Sequence, residues 1–297
     1  MMGPIRHVER RAWRAGRPGV GERVIAEEAA VAFTYNGSSH AVMMATPQDL
    51  QDFAVGFSLT EGVIRSPSEI ETLEIIERDV GIELAMWLTE PRASILSERR
   101  RSLAGPTGCG LCGIESLSEA VRPTPKIAGH ELFSHDDIMQ GLHALQSGQP
   151  IYRETRAVHG AAFYRPAEGL IVVREDVGRH NALDKLAGAL ARRQLTGAGG
   201  FGIVTSRVSI EIVQKAAMIG MPVLVAVSAP TALAVRTAAA SGITLIAVAR
   251  DDGFEVFSHP QRITEMKGMQ PDGWAYEVAG TKPSDLADAA ARPAPAR

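Results

Sequence analysis

Cysteine is almost missing from this chain: Cys109 and Cys112 are the only two thiols in 297 residues. So sparse a supply excludes the disulfide framework of a small secreted domain. Neither sign of charge dominates, and a net charge of -3 gives no global electrostatic case for nucleic acid. Long hydrophobic runs are missing too. The longest, Met221 to Val235, is broken by Pro222, Ser228, Pro230 and Thr231, which argues against a membrane span. Arg6, Arg10, Arg11, Arg14 and Arg17 crowd the first residues with no apolar core behind them, so this stretch does not read as a secretory signal. A reducing cytoplasm is therefore expected, and there a thiol pair is more often functional than structural. What is present is 45% apolar and long enough for one large domain or two modest ones.

The two cysteines sit in Thr107-Gly108-Cys109-Gly110-Leu111-Cys112-Gly113-Ile114-Glu115, around which the chain reads best. Glycine lets the backbone bend sharply and leaves the thiols uncrowded. Arg99, Arg100 and Arg101 lie upstream, and a helix can start near Ile114 with Glu115 in its first turn. Guanidinium groups and a helix N-terminus both favour the nucleophilic thiolate. Four readings compete. Structural zinc needs two more ligands, and the eight histidines are scattered without finger spacing. A dithiol redox site would be expected beside an early strand and helix, not in an arginine-rich and glycine-rich setting. A sulfur carrier would hold a persulfide on one thiolate and hand the sulfur on. Two inert loop cysteines are the fourth reading.

Along the chain, residues 1–21 read as a flexible basic arm with little periodicity. Residues 22–125 read as an α+β subdomain ending in the Cys-x-x-Cys loop, with strands turned at Asn36-Gly37 and a helix capped by Thr46, with Pro47 in its first turn. Leu50, Phe53 and Phe57 share one face of that helix, as core residues do. Residues 126–265 read as an α/β domain. Ser134 caps a helix there, a hairpin spans Val158 to Arg174, and three strand-helix-strand units up to Ala249 imply parallel pairing with helices on both faces. Residues 266–297 form an extension rich in alanine and proline at its end, as disordered tails are.

Polar residues collect where strands end. Ser206, Arg207 and Ser209 open one helix, Ser228 and Thr231 another, and Arg250-Asp251-Asp252-Gly253 follows the last strand. Such loops lie on the carboxyl edge of an open sheet, where backbone N–H groups and arginine can seat phosphate, although ordinary helix capping explains them as well. Glu175-Asp176-Val177-Gly178-Arg179-His180-Asn181-Ala182-Leu183-Asp184-Lys185 is denser in polar groups than a turn requires. His180 is a candidate for proton transfer or ligand contact, or simply a helix-start residue. Asp184 and Lys185 also fit a solvated helix face. Glu175, Asp176 and His180 have no metal-binding spacing.

Taken together these stretches resemble the formate dehydrogenase accessory sulfurtransferase (FdhD) family. The matching segments are LQDFAVGFSLTEG (Leu50 to Gly62), GCGLCGIE (Gly108 to Glu115), VHGA (Val158 to Ala161), EDVGRHNALDK (Glu175 to Lys185), SRVSIEIVQKAAM (Ser206 to Met218) and IGMPVLVAVSAPTALA (Ile219 to Ala234), with Arg250 and Ser258-His259-Pro260. The combination is specific although each piece alone is not. The resemblance implies a cytidine-deaminase-like three-layer α/β/α domain with a smaller N-terminal α+β subdomain, in a cytoplasmic homodimer. It implies a sulfurtransferase that takes sulfur from a cysteine desulfurase and passes it to the molybdenum or tungsten bis-molybdopterin guanine dinucleotide of a formate dehydrogenase catalytic subunit. By motif, Cys109 would carry the persulfide and Cys112 assist. Val248, Ala249, Arg250, Asp251, Asp252 and Gly253 would lie against the dinucleotide, joined by Ser206, Arg207, Ser228 and His180. A non-catalytic cofactor chaperone and a thiol-disulfide oxidoreductase are the rival expectations.

Overall fold

The computed structural model describes residues 2–103 and 123–268, the side chains of 97–103 excepted. Strands β1 (Ile5–Arg14) and β2 (Arg17–Ala26) pair antiparallel as a ribbon of two. The flexible arm expected over residues 1–21 is thus corrected to a hairpin. Ala15 and Gly16 both adopt positive φ, 49° and 74°, in the two-residue turn whose twist matches paired strands. Arginine-rich strands carry no alternating apolar signal, so periodicity missed them.

The next unit contains β3 (Ala29–Tyr35), β4 (Ser38–Ala45), α1 (Leu50–Thr60), β5 (Ile70–Arg78), β6 (Gly81–Leu88) and α2 (Glu90–Leu103). Its sheet order is β4-β3-β6-β5. Asn36 and Gly37, at φ 50° and 73°, make the turn their dipeptide predicts. Strand β3 buries alternate residues, and Phe33 meets Phe53 edge-on at 4.9 Å and Phe57 at 4.1 Å, so α1 covers one face of this sheet. The expected cap of α1 is corrected. The helix begins after Asp49, itself left-handed at φ 56° without a side-chain capping bond, and Thr46 is buried elsewhere.

The larger unit runs α3 (His135–Ser147), α4 (Pro150–Thr155), β7 (His159–Arg165), β8 (Gly169–Asp176), α5 (Arg179–Arg192), β9 (Phe201–Val204), α6 (Ile210–Met218), β10 (Val223–Ala226), α7 (Ala232–Ser241), β11 (Thr244–Arg250) and β12 (Gly253–Val256). Ser134 caps α3 in a reciprocal box with Asp137. The strand order is β12-β11-β10-β9-β7-β8. Strands β9, β10 and β11 pair in parallel as their crossovers require. The first crossover does not give direct pairing, because β7 lies between β8 and β9, antiparallel to both. Strand β12 adds an antiparallel edge beyond the strands that the sequence predicts. Helices α5, α6 and α7 pack on one face and α3 on the other, so β9 and β10 are buried throughout.

The two units meet where α1 crosses α5. A Cβ on Gly56 would lie 1.7 Å from the Asp184 carbonyl oxygen, and one on Gly188 1.8 Å from that of Asp52. The backbones touch there, which only glycine permits.

Candidate functional site

A cavity of about 1140 Å³ opens at the carboxyl ends of β9, β10 and β11. That is the edge where open α/β sheets bind ligands, and the volume exceeds the roughly 300–1,000 Å³ of ordinary small-molecule pockets. Leu142 and Leu145 of α3, with Val158, Val227, Val248 and Ala249, give it apolar wall. Arg153, Arg156 and Arg250 face it against a single carboxylate, Asp251. Arg156 also lies over the Tyr152 ring at 5.0 Å, which holds that guanidinium at the rim. An apolar wall beside three guanidinium groups suits a large ligand with a flat heterocycle and phosphates.

The backbone is strained at this edge. Val248 has φ 53°, the left-handed region that a β-branched side chain avoids. The β11–β12 register shifts between Ala247 and Arg250, and the Val248 N–H donates to the Ser228 carbonyl at 3.3 Å. Such a bulge re-aims side chains, at a cost of about 1–3 kcal/mol. Strain inside a cavity wall is a mark of use.

Of the residues named from the sequence, Ser228, Val248, Ala249, Arg250 and Asp251 line this cavity together. Asp252 is exposed and Gly253 opens β12, both just outside the lining. Ser206 is buried with its hydroxyl on the Arg207 carbonyl, and Arg207 is exposed; neither lines the cavity. His180 also stands apart, its Nε2 3.5 Å from Ser209 Oγ. Cys109 and Cys112 fall outside the described residues. Missed from the sequence were Arg153, Arg156 and His159. The Tyr152-Arg153-Glu154-Thr155-Arg156 run just before the VHGA motif was the available signal.

Most of the dense polar motif turns out to be a lock. Lys185 and Asp176 are both fully buried, 2.6 Å apart. Lys185 also donates to the Thr46 carbonyl at 2.8 Å, and Asp176 accepts from the Thr46 N–H at 3.0 Å, the Gly178 N–H at 2.7 Å and Asn181 Nδ2 at 3.0 Å. Asp184 takes Lys215 Nζ at 2.8 Å and Thr60 Oγ1 at 2.5 Å, and Glu61 reaches the same ammonium at 2.6 Å. Burial works against the Lys215 charge, but Asp184 and Glu61 outweigh it and hold its pKa up. The solvated-face reading of Asp184 and Lys185 is therefore corrected: both carry contacts between the two units. Glu175 serves the cavity indirectly. Its carboxylate accepts the Ile151 and Tyr152 N–H groups at 2.9 and 2.8 Å, fixing the first turn of the helix that presents Arg153.

Burial lowers the pKa of two histidines, His159 in the cavity wall and His180 apart from it. Burial, then the Arg179 charge, lowers the His159 pKa, and His159 lines the cavity. Burial first, then Arg179 and Lys215, pushes His180 down to about 4 from 6.5. Below pH 6.5 the unfolded chain takes a proton on this imidazole and the folded chain does not. Stability therefore falls as pH drops from about 6.5 to about 4 and levels off below that. His180→Gln is expected to remove about 1–2 kcal/mol of this fall, allowing for solvent screening at a partly exposed ring. Urea titrations of both proteins at pH 7.5, 6, 5 and 4 measure it, and parallel stability curves would refute it.

Comparison with known proteins places this architecture among relatives. The family model for FdhD/NarQ matches residues 26–264. A protein of Agrobacterium fabrum named sulfur carrier protein FdhD is 55% identical over 259 residues, covering 87% of this chain and 96% of that one. One of the same name from Brucella abortus is 50% identical over 244 residues, covering 82% and 91%. The fold matches a crystal structure from Desulfotalea psychrophila, described as a formate dehydrogenase accessory protein, with a TM-score of 0.69 at 24% identity. That match covers 87% of this chain and 99% of the other.

Proposed function

This chain belongs to the FdhD/NarQ family, and from that premise we propose that it is a sulfur carrier serving formate dehydrogenase. In this reading Cys109 thiolate attacks the terminal sulfur of a cysteine desulfurase persulfide, the donor thiolate leaves, and Cys109 becomes the persulfide. The sulfur then passes to a molybdenum or tungsten bis-molybdopterin guanine dinucleotide, which is cargo of the reaction and not a resident group. Release as sulfide would leave a Cys109–Cys112 disulfide, the two thiols supplying the two electrons. The client is the formate dehydrogenase catalytic subunit, the setting cytoplasmic, the assembly a homodimer and the fold of the larger unit cytidine-deaminase-like.

The observation that carries the reading is the cavity at the sheet edge. Its donor set fits the cargo: Arg153, Arg156 and Arg250 for phosphates, the Leu142, Leu145 and Val158 wall for a heterocycle, and Asp251 as acceptor for base N–H groups. Neutral His159 can donate or accept a hydrogen bond without adding charge. His180 lies outside that lining and has no part in this reading.

Mass analysis of the cysteine peptide after incubation with a desulfurase and cysteine tests the carrier step. One added sulfur, removed by reductant, is expected on Cys109, and an unmodified peptide would end the reading. The cavity is tested separately with guanosine diphosphate as probe. Arg250→Glu is expected to weaken its binding about 10-fold to 100-fold by calorimetry, since an ion pair becomes a repulsion. Unchanged affinity would move the dinucleotide elsewhere.

A further inference from the structure

Strand alternation divides the β1–β2 ribbon into two unlike faces. Residues paired in register project to the same side of the ribbon, and successive residues to opposite sides. One face therefore takes Arg6, Arg10, Arg14, Arg17 and Arg23, with three apolar residues and two glycines between them. The reverse face takes Glu9 and Glu22 with a single arginine, Arg11. Five guanidinium groups thus share one side, and both carboxylates of the ribbon sit on the other. Among the described residues only Arg6 of the five has a carboxylate partner, Glu27. Arg14 stands directly opposite Arg17 at the tip, a like-charge pair that costs stability unless an anion joins it. Residues 5–26 carry +4 in all, and the rest of a chain of net charge -3 carries -7.

The position of the ribbon gives that face a use. A two-stranded hairpin alone is marginal in water, and this one is steadied by α4, against which β2 packs. That short helix presents Arg153 to the cavity and ends at Arg156 on the cavity rim. The ribbon is therefore rooted beside the cavity, where whatever receives the cargo has to arrive. From Arg6 to Arg14 the arginine face runs about 27 Å, and its two strands make it about 10 Å wide. A footprint on the order of 300 Å² a side suits a transient encounter and is too small for an obligate interface.

We propose that the arginine face of the ribbon is a docking surface for a strip of carboxylates on the protein that takes up the cargo. The inference rests on the proposed function for the identity of that protein, the dehydrogenase catalytic subunit, and on the ribbon alone for its chemistry. Guanidinium groups take carboxylates in bidentate pairs. A nucleic acid is anionic along its whole length and would run past the ribbon onto a body of net charge -7. A short acidic strip on a protein meets the ribbon only. Attraction between such patches speeds encounter without lasting attachment, as delivery followed by release requires.

The test is surface plasmon resonance between the full chain and the catalytic subunit lacking its cofactor. Wild type is expected to bind, and to bind more weakly as salt rises. R14E is expected to weaken binding about 10-fold at 150 mM salt, and R10E/R14E/R17E/R23E at least about 100-fold, because attraction becomes repulsion. Misfolding does not account for the R14E effect, since Glu opposite Arg17 replaces a like-charge pair by an attractive one. R11E makes the same change of net charge on the reverse face and is expected to stay within about threefold of wild type. Equal losses for R11E and R14E, a wild type that does not bind the subunit, or binding indifferent to salt would each overturn the proposal. So would tighter binding of a 20-base-pair DNA duplex or of phosphatidylglycerol vesicles than of the subunit. Sulfur loading of Cys109, read by mass, is expected to be equal in wild type and R14E, which separates loss of docking from failure of the carrier chemistry. Loading lost in R14E would give the ribbon to the sulfur donor instead and overturn the assignment.

Discussion

Lys185→Met is expected to lower the unfolding free energy by about 3–5 kcal/mol, the usual consequence of stripping one partner from a buried ion pair. Asp176 would be left fully buried with no cation, in contact with the Thr46, Gly178 and Asn181 donors that alone would have to carry its charge. Since whole domains are stable by only about 5–15 kcal/mol, the loss would dominate the protein's stability. The contact also joins units distant in sequence, because Thr46 belongs to the loop before α1 and Asp176 to the end of β8. Asp176→Asn should cost a similar amount, and the double variant clearly less than the sum, because removing both charges leaves no uncompensated ion. Urea denaturation of the four proteins decides it. A loss under about 1 kcal/mol for Lys185→Met, the worth of an exposed pair such as Arg78–Glu83, would show that the pair is not holding the units together.

That lock also marks where sequence reasoning stops. Local signals were legible wherever a few consecutive residues decide the outcome: Asn36-Gly37 turned its hairpin, Ser134 capped α3, and apolar runs at β9, β10 and β11 became buried parallel strands. Thr46 shows the limit. By local rules a threonine before proline is a helix cap, yet its N–H, carbonyl and hydroxyl are all committed to residues 176, 185 and 177, some 130 positions away. Asp184 and Lys185 look like a solvated helix face for the same reason, since their partners come from α6 and the end of β8. The insertion of β7 between β8 and β9 is likewise non-local, because a hairpin and a crossover compete for the same edge.

The site was legible in part. Ser228 and the Val248–Asp251 segment were placed at the sheet edge by strand ends, and they line one cavity. Arg153 comes from a six-residue helix that no periodicity announces, positioned by Glu175 from the far side of the hairpin, and Arg156 is the left-handed residue that ends it. Ser206 follows a strand end, where a ligand contact is expected, but its hydroxyl turns back onto the Arg207 carbonyl.

Cys109→Ala is expected to reduce maturation of the formate dehydrogenase client by more than about a thousandfold, the scale on which loss of a covalent nucleophile is felt. Affinity for guanosine diphosphate should stay within about twofold, because the substitution leaves Arg153, Arg156, Arg250 and the apolar wall of the cavity unchanged. Chain length permits the visit that transfer requires. The described chain resumes at Pro123, and Thr124 Oγ1 to Ser241 Oγ (2.5 Å) and the Ile127 N–H to the Ser241 carbonyl (2.8 Å) fix it at the end of α7. The other end of that helix, at Thr231, stands two residues from the cavity-lining Ala229. Ten helical residues make about 15 Å, whereas the eleven steps from Cys112 to Pro123 can span up to about 35 Å. Cys112→Ala separates the routes. If sulfide leaves through a Cys109–Cys112 disulfide, this variant should still load sulfur on Cys109, visible by mass, but deliver it poorly. A Cys109→Ala protein that matures its client at the wild-type rate would show that sulfur travels by another thiol or that the protein only chaperones its cargo.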